Sequence, residues 1–348
     1  MLVTATALLL AACGESPGNS KTEVIIGAGS TTFTVANAPY TTLPQALGFW
    51  KDEGLDVKVN GFQDGGTAVQ AVVSGKANIA FPSLGTISRA SEKGAKLKAF
   101  YNQYNNGFVP EVPEGSNIQR LADFEGKTVG VIGLDSSGTL MLRGAMTAEG
   151  SDPGKVKWVA VGDAATAYTF LQQGRIDAAA LYDSAYGEIE FRGIKLRPIG
   201  PEWFKRLSLQ QVGVSSEDYF KKHQDEIVRV LRGIAKATIF AEENPEAAIR
   251  IHWKIVPASK PVGVSDEAAM DQAKRVLAAR NALTAKDNGQ LGGASEEQLK
   301  AVDDFMKKAG IVPASFDLAA LYDNSLFKEV NNFDAEKIRE KARNYKVE

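Results

Sequence analysis

The 348-residue sequence has one cysteine and two histidines, and its 40 Lys+Arg nearly balance 42 Asp+Glu for a formal net charge of −2. Each shortage excludes something. One cysteine makes no internal disulfide, thiolate zinc site or iron–sulfur cluster, and two histidines are too few for a histidine-based metal centre. Balanced charge argues against a nucleic-acid partner. With 33 Gly and 13 Pro the chain is neither collagen-like nor of low complexity, and 44% hydrophobic with 24% charged residues is ordinary globular material. No Walker segment and no G-x-S-x-G elbow occur, and Gly27–Thr32 starts like a dinucleotide fingerprint but lacks its third glycine. His223 and His252 lie far in sequence from every Ser-rich segment, so each reads as a surface or packing histidine. No catalytic residue, metal site or cofactor is assigned.

What is present begins at the N-terminus. MLVTATALLLAAC carries an apolar run, Leu2–Ala12, that is far short of the roughly 20 residues needed to span a bilayer and matches a secretory h-region. Its end, Leu10-Ala11-Ala12-Cys13, has the form of a lipobox, in which the cysteine thiol takes a lipid and becomes the new N-terminus. Residues 1–12 are thus read as a lipoprotein signal peptide and 13–22 as a lipidated, Gly/Ser/Pro-rich tether. This places the protein outside the cytoplasm, anchored to a membrane by lipid on Cys13.

From Glu23 onward, β-rich runs alternate with helical segments, an α/β pattern with mainly parallel sheets. The expected strands are Val24–Ala28, Leu55–Gly61, Asn78–Phe81, Leu97–Gln103, Thr128–Ile132, Lys157–Val161, Ala178–Leu181, Lys195–Ile199 and Leu207–Val214. Two breaks, Gly107–Gly115 and the Gly200-Pro201 region, suggest crossings between two lobes, with residues 23–106 and 215–348 in lobe 1 and 107–214 in lobe 2. Beyond Ser215 no strand is expected. Ile227, Val230, Leu231, Ile234, Ala235, Thr238 and Ile239 form a helical stripe, followed by helices at Asp266–Ala282, Ser295–Lys308 and Asp334–Asn344.

Candidate binding residues sit at strand-to-helix joints, where unpaired backbone N–H groups meet hydroxyls and glycines and where ligands of open α/β sheets gather. The joints are Thr31, Thr32 and Phe33 leading to Tyr40; Asp64, Gly65 and Gly66; Pro82, Ser83 and Leu84; Ser136, Ser137, Gly138 and Thr139; and Tyr182, Asp183 and Ser184. Tyr104 and Asn105, just before the first break, complete the walls. Each residue alone is as readily a cap or turn former. Five joints on one rim point to a shared crevice for a small polar molecule. Asp64, Asp135 and Asp183 flank three of them and disfavour a bare anion, so the expected ligand is a zwitterion or polar heterocycle. Arg143 is a possible counter-charge, though a solvated helix position explains it better.

Several stretches carry a family resemblance. LGFWKDEGLDV (Leu47–Val57), VSGKANIAF (Val73–Phe81), LADFEGKTVGV (Leu121–Val131), LQQGRIDA (Leu171–Ala178) and the tail MKKAGI (Met306–Ile311) to LYD (Leu321–Asp323) resemble the solute-binding proteins of ABC importers. The class is that of nitrate, taurine, sulfonate and thiamine-pyrimidine-precursor binders, and the resemblance covers nearly all of the chain after the tether. It implies a type II periplasmic-binding-protein fold of two α/β lobes that close on a ligand. It also implies an ABC permease and its ATPase as partners, and a monomer. The alternatives are an enzyme of the pyrimidine-precursor-synthase type on the same fold, and a ligand-sensing receptor module.

Overall fold

The computed structural model describes residues 22–346, so the signal peptide, Cys13 and all of the tether but Thr22 lie outside the described residues. Ten strands make two five-stranded sheets, and the two share one topology. In the first, β1 (Thr22–Ala28), β2 (Leu55–Gly61), β3 (Ile79–Ala80), β4 (Leu97–Tyr104) and β10 (Gln211–Ser216) are ordered β2-β1-β3-β10-β4. In the second, β5 (Glu111–Pro113), β6 (Thr128–Val131), β7 (Lys157–Ala160), β8 (Ala178–Ala180) and β9 (Leu196–Pro198) are ordered β7-β6-β8-β5-β9.

The ladders β1–β2, β1–β3, β6–β7 and β6–β8 are parallel, whereas β10 and β5 each run antiparallel to both neighbours. Each antiparallel strand is the first that the chain forms after crossing from the other sheet. An antiparallel neighbour needs no helical crossover, so a crossing segment can enter the sheet directly. Strand β5 escaped the sequence reading because prolines bracket it: Pro110 precedes it and Pro113 ends it, a signature that usually marks a turn.

Ten helices of nine or more residues flank the sheets: α1 (Gly65–Val73), α2 (Leu84–Glu92), α3 (Ser137–Ala148), α4 (Ala164–Gln172), α5 (Asp183–Phe191), α6 (Gln224–Glu243), α7 (Pro245–Ile255), α8 (Asp266–Ala282), α9 (Glu296–Lys308) and α10 (Ala335–Arg343). The expected stripe on α6 is buried, and so are Val228, Gly233, Ala237, Phe240 and Ala241 around it. The helix is covered on several sides because α10, α7 and the Phe49–Asp52 turn all pack on it. A Cβ on Gly233 would overlap the ring of Trp50, whose indole Nε1 donates to the Val230 carbonyl at 3.0 Å.

Two corrections follow. The segment Leu43–Glu53, whose sequence reads as one helix after the first joint, is two: Gly48, at φ 77°, breaks it into Leu43–Ala46 and Phe49–Asp52. Strands also do not stop at Ser215, because Lys286–Asp287 (β11) and Gln290–Leu291 (β12) form a small hairpin. Its Asn288-Gly289 turn holds both residues at positive φ, the Asn-Gly preference of such turns.

The helices after β10 reach both sheets. Helix α8 runs along α5 and α9 packs on α3, and both contacts are made at a glycine. At Gly187 a Cβ would sit 3.4 Å from the Arg275 backbone carbon, and at Gly144 it would overlap the Cβ of Ala309. An apolar core joins Leu142, Ala145 and Met146 of α3 to Val302, Phe305 and Met306 of α9 and to Phe204 and Leu207 of the second crossing.

His252 of α7 fixes the loop after β1. The ring is fully buried, with Nε2 3.2 Å from the Phe33 carbonyl oxygen and Nδ1 2.9 Å from Thr42 Oγ1. A carbonyl only accepts, so Nε2 carries the proton and Nδ1 accepts from the Thr42 hydroxyl. Burial holds the imidazole down to about 4, and the bond to Phe33 offsets this only partly.

Two measurements test these contacts. Gly233→Ala is expected to cost about 1–3 kcal/mol through displacement of Trp50, read as a lower urea midpoint with an unchanged m-value. For His252 the neutral form is favoured on folding, so its contribution is complete above pH 6.5 and is lost as the unfolded chain takes protons down to pH 4. Glu111, pushed up to about 8 by burial and by Glu190, works in the opposite direction from pH 4.5 to 8 and flattens the wild-type profile. The difference between wild type and His252→Gln isolates the histidine: the wild-type advantage should shrink by on the order of 3 kcal/mol from pH 6.5 to 4.

Candidate functional site

A cavity of about 710 Å³ opens between the two sheets, walled by the segments that follow β1, β2, β3, β6 and β8. All five leave the C-terminal ends of parallel strands, and four lead straight into helices whose first amides have no partner within the helix. Asp64 caps α1, its Oδ1 accepting from Thr67 N at 2.7 Å, and Gly65 and Gly66 present bare backbone to the cavity. Gly29 makes this possible, because a Cβ there would lie 2.8 Å from Gly65 N. Ser83 caps α2 through Thr86 N, and Ser136 caps α3 through Thr139 N, each at 3.3 Å. Helices from the two sheets meet here: Ser83 Oγ and Ser137 Oγ are 3.4 Å apart.

Of the residues expected from sequence, Tyr40, Asp64, Gly65, Gly66, Pro82, Ser83, Ser136, Ser137, Gly138 and Tyr182 line the cavity. The others do not. Thr31 and Thr32 belong to an exposed turn in which the Ser30 hydroxyl donates to the Thr32 carbonyl at 2.7 Å. Phe33 packs on the core beneath, its carbonyl held by His252. Leu84 is buried in the apolar contact between α2, α3 and α9. Thr139 is fully buried and donates to the Gly133 carbonyl at 2.8 Å, locking the turn into α3. The Asn105 side chain accepts from Ser208 Oγ at 2.9 Å, and Ser184 is buried inside the first turn of α5.

Tyr104 and Asp183 stand one layer behind the wall. Asp183 opens α5 and grips Arg280 of α8 with both carboxylate oxygens, Nε to Oδ2 at 2.6 Å and Nη2 to Oδ1 at 2.8 Å. The guanidinium also lies 4.7 Å from the centroid of the Tyr104 ring, and Arg280 itself lines the cavity. Burial alone would lower the Arg280 pKa, but Asp183 and the phenols of Tyr104 and Tyr40 more than offset it, so the side chain stays charged. Nothing local in the sequence of α8 announces this residue. Arg143 is not the counter-charge, since its guanidinium sits 5.0 Å over the Trp158 ring, away from the cavity.

Apart from Tyr40, sequence reasoning missed an aromatic and amide wall of Asn37, Phe81, Phe108, Gln210 and Gln211. Tyr40 and Phe81 have ring centroids 5.6 Å apart, and Asn37 Nδ2 donates to the Tyr40 hydroxyl at 3.0 Å. Gln211 Nε2 donates to the Phe81 carbonyl at 2.8 Å, and Gln210 Oε1 accepts from Gly107 N at 2.7 Å, each tying the second crossing to its neighbour. Phe108 covers the first turn of α3, where a Cβ on Gly138 would lie 2.7 Å from its ring. The available signal was a Gln-Gln pair on a crossing segment, which must pass the gap between the lobes. Burial raises the phenol pKa of Tyr40, Tyr104 and Tyr182, leaving them neutral hydrogen-bonding groups.

The cavity therefore offers helix-start amides, hydroxyls, side-chain amides and a charge-neutralised arginine, with no histidine or cysteine in its wall. Both nitrogens of His252 are committed, and His223 stacks on Tyr219 with Nδ1 2.9 Å from Glu226. Among the described residues no three His, Cys, Asp or Glu side chains converge as a metal site, and no helix is long and apolar enough to cross a membrane. This is equipment for holding a small polar molecule.

The sequence model of the NMT1/THI5-like family matches residues 40–248, more than half of the chain. No curated protein matches the chain in sequence. Among solved structures, a Bordetella bronchiseptica RB50 protein aligns with TM-score 0.62 and 22% identity, covering 93% of this chain and 99% of its own. The alkanesulfonate-binding protein SsuA of Xanthomonas axonopodis pv. citri, bound to MOPS, aligns with TM-score 0.64 and 16% identity over 88% of this chain and 99% of that one. The periplasmic nitrate-binding protein NrtA of Synechocystis PCC 6803 gives TM-score 0.61 and 14% identity over 94% and 99%. The repeated sheet topology, the shared cavity and the match over residues 40–248 lead to one conclusion: the chain belongs to the NMT1/THI5-like family, on the two-lobed fold of periplasmic binding proteins.

Proposed function

We propose that this protein is the extracytoplasmic solute-binding component of an ABC importer, which takes up a small polar solute between its lobes and delivers it to a permease. The observation that carries this reading is the gathering of three helix starts from two sheets around one cavity, with Ser83 and Ser137 3.4 Å apart across the lobes. Likeness in fold to a sulfonate-binding and a nitrate-binding periplasmic protein supports it. The wall contains hydrogen-bonding groups but no paired nucleophile and base, which favours binding over turnover.

The ligand contacts are Tyr40, Gly65, Gly66, Ser83, Ser137, Gly138 and Tyr182, joined by Asn37, Gln211 and Arg280. The unpaired amides of α1, α2 and α3 suit an acidic group such as a sulfonate, while Asp64 and Asp135 in the same wall suit a ligand that also carries donors, a zwitterion or polar heterocycle. Lipid on Cys13 would hold the protein at the membrane beside the permease and its ATPase, as a monomer.

A thermal-shift panel of sulfonates, amino-sulfonates, pyrimidines, aromatic acids and nitrate tests the reading on the full chain in mild detergent. A true ligand at 100 times its Kd stabilises by about 2.7 kcal/mol, and a panel without any shift removes the proposal. Ser137→Asp separates binding from folding. A carboxylate at the start of α3 favours the helix by about 0.3–1 kcal/mol, whereas an acidic ligand should bind more than about tenfold more weakly by titration calorimetry.

A further inference from the structure

We infer that the Arg280–Asp183 pair sets the specificity of the cavity, reserving its end nearest Tyr40 for a neutral hydrogen-bonding group and rejecting a second acid there. The inference rests on the solute-binding reading and names the ligand class: an acid at one end, a neutral acceptor such as a carboxamide, carbonyl, ring nitrogen or hydroxyl at the other.

Three features carry it. Asp183 Oδ1 accepts from Nη2 at 2.8 Å while Oδ2 lies 2.6 Å from Nε as an ion-pair contact without hydrogen-bond alignment, and the side chains of Arg280 and Asp183 are only 11% and 5% exposed. The third nitrogen, Nη1, donates to no protein acceptor among the described residues, yet Arg280 lines the cavity. The groups around it are Asn37, Tyr40, Gln210 and Gln211, which bring donors and acceptors without net charge. A free arginine would attract an anion. An arginine already neutralised by a buried carboxylate offers the N–H groups of Nη1 and no net charge, and an acid placed there would be a buried charge without a counter-ion. The rest of the wall differs, because Arg89 and Lys93 bring cationic charge beside helix-start amides, with Asp64 and Asp135 among them.

The test uses two probes of one shape, 3-carbamoylbenzenesulfonate and 3-sulfobenzoate, titrated by calorimetry into the full chain in mild detergent. The carbamoyl probe is expected to bind at least about tenfold more tightly, a difference of about 1.4 kcal/mol. Asp183→Asn, which frees the guanidinium charge while keeping the side-chain shape, should reverse the order. The inference is overturned by equal or tighter binding of 3-sulfobenzoate to wild type, by an unchanged ratio in a folded Asp183→Asn, or by absence of binding of both probes to about 10 mM. The wild-type ratio needs no variant and decides alone if Asp183→Asn does not fold. Hits elsewhere in the thermal-shift panel together with a failed probe pair overturn this specificity and leave the importer reading standing; a blank panel removes both.

Discussion

A helix that starts at the end of a buried strand leaves its first amides without partners, and the whole site depends on that constraint. In a parallel sheet every helix begins on the same edge, so unpaired N–H groups collect along one rim. Here two such sheets turn their rims toward each other. Asp64, Ser83 and Ser136 satisfy one amide each as caps, and Gly65, Gly66, Ser137 and Gly138 of the same turns line the gap. The cavity needs no special catalytic equipment to be polar.

The gap is also held from behind. The C-terminal third of the chain sends α8 onto α5 and α9 onto α3, so both lobes are strapped by helices as well as joined by two crossings. Arg280 is where strap and cavity coincide, since one residue ties α8 to the start of α5 and lines the cavity. A buried ion pair of this kind is weak evidence for stability, because desolvation consumes most of the Coulombic gain. Its value lies in fixing a donor in one orientation at neutral cost in charge.

What could be read from the sequence was whatever depends on local pattern. Short β-rich runs placed nine strands, and Ser295 with Gln298 announced a capping box that the structure contains. Gly and Ser clusters mark the joints, and Gly65, Gly66, Ser83 and Ser137 from them line the cavity. Orientation within a joint was not legible: Thr139 and Ser137 differ by two positions, yet one locks its own turn and the other faces the cavity. Nor were residues brought in by distant elements. Arg280 sits near the end of a mainly polar helix, 97 residues from its partner, and only tertiary packing reveals it. The strand β5 was hidden for the opposite reason, its local proline signal being overridden by pairing with β8 and β9.

The glycines at the two helix crossings carry a mechanical consequence. Where Gly187 meets Arg275, an added Cβ would just touch the Arg275 backbone at 3.4 Å, whereas at Gly144 it would overlap the Cβ of Ala309. The first strap has room for one more carbon and the second has none. A methyl at Gly144 would have to push the end of α9 away from α3, so the spacing of that strap is set by the absence of a single atom.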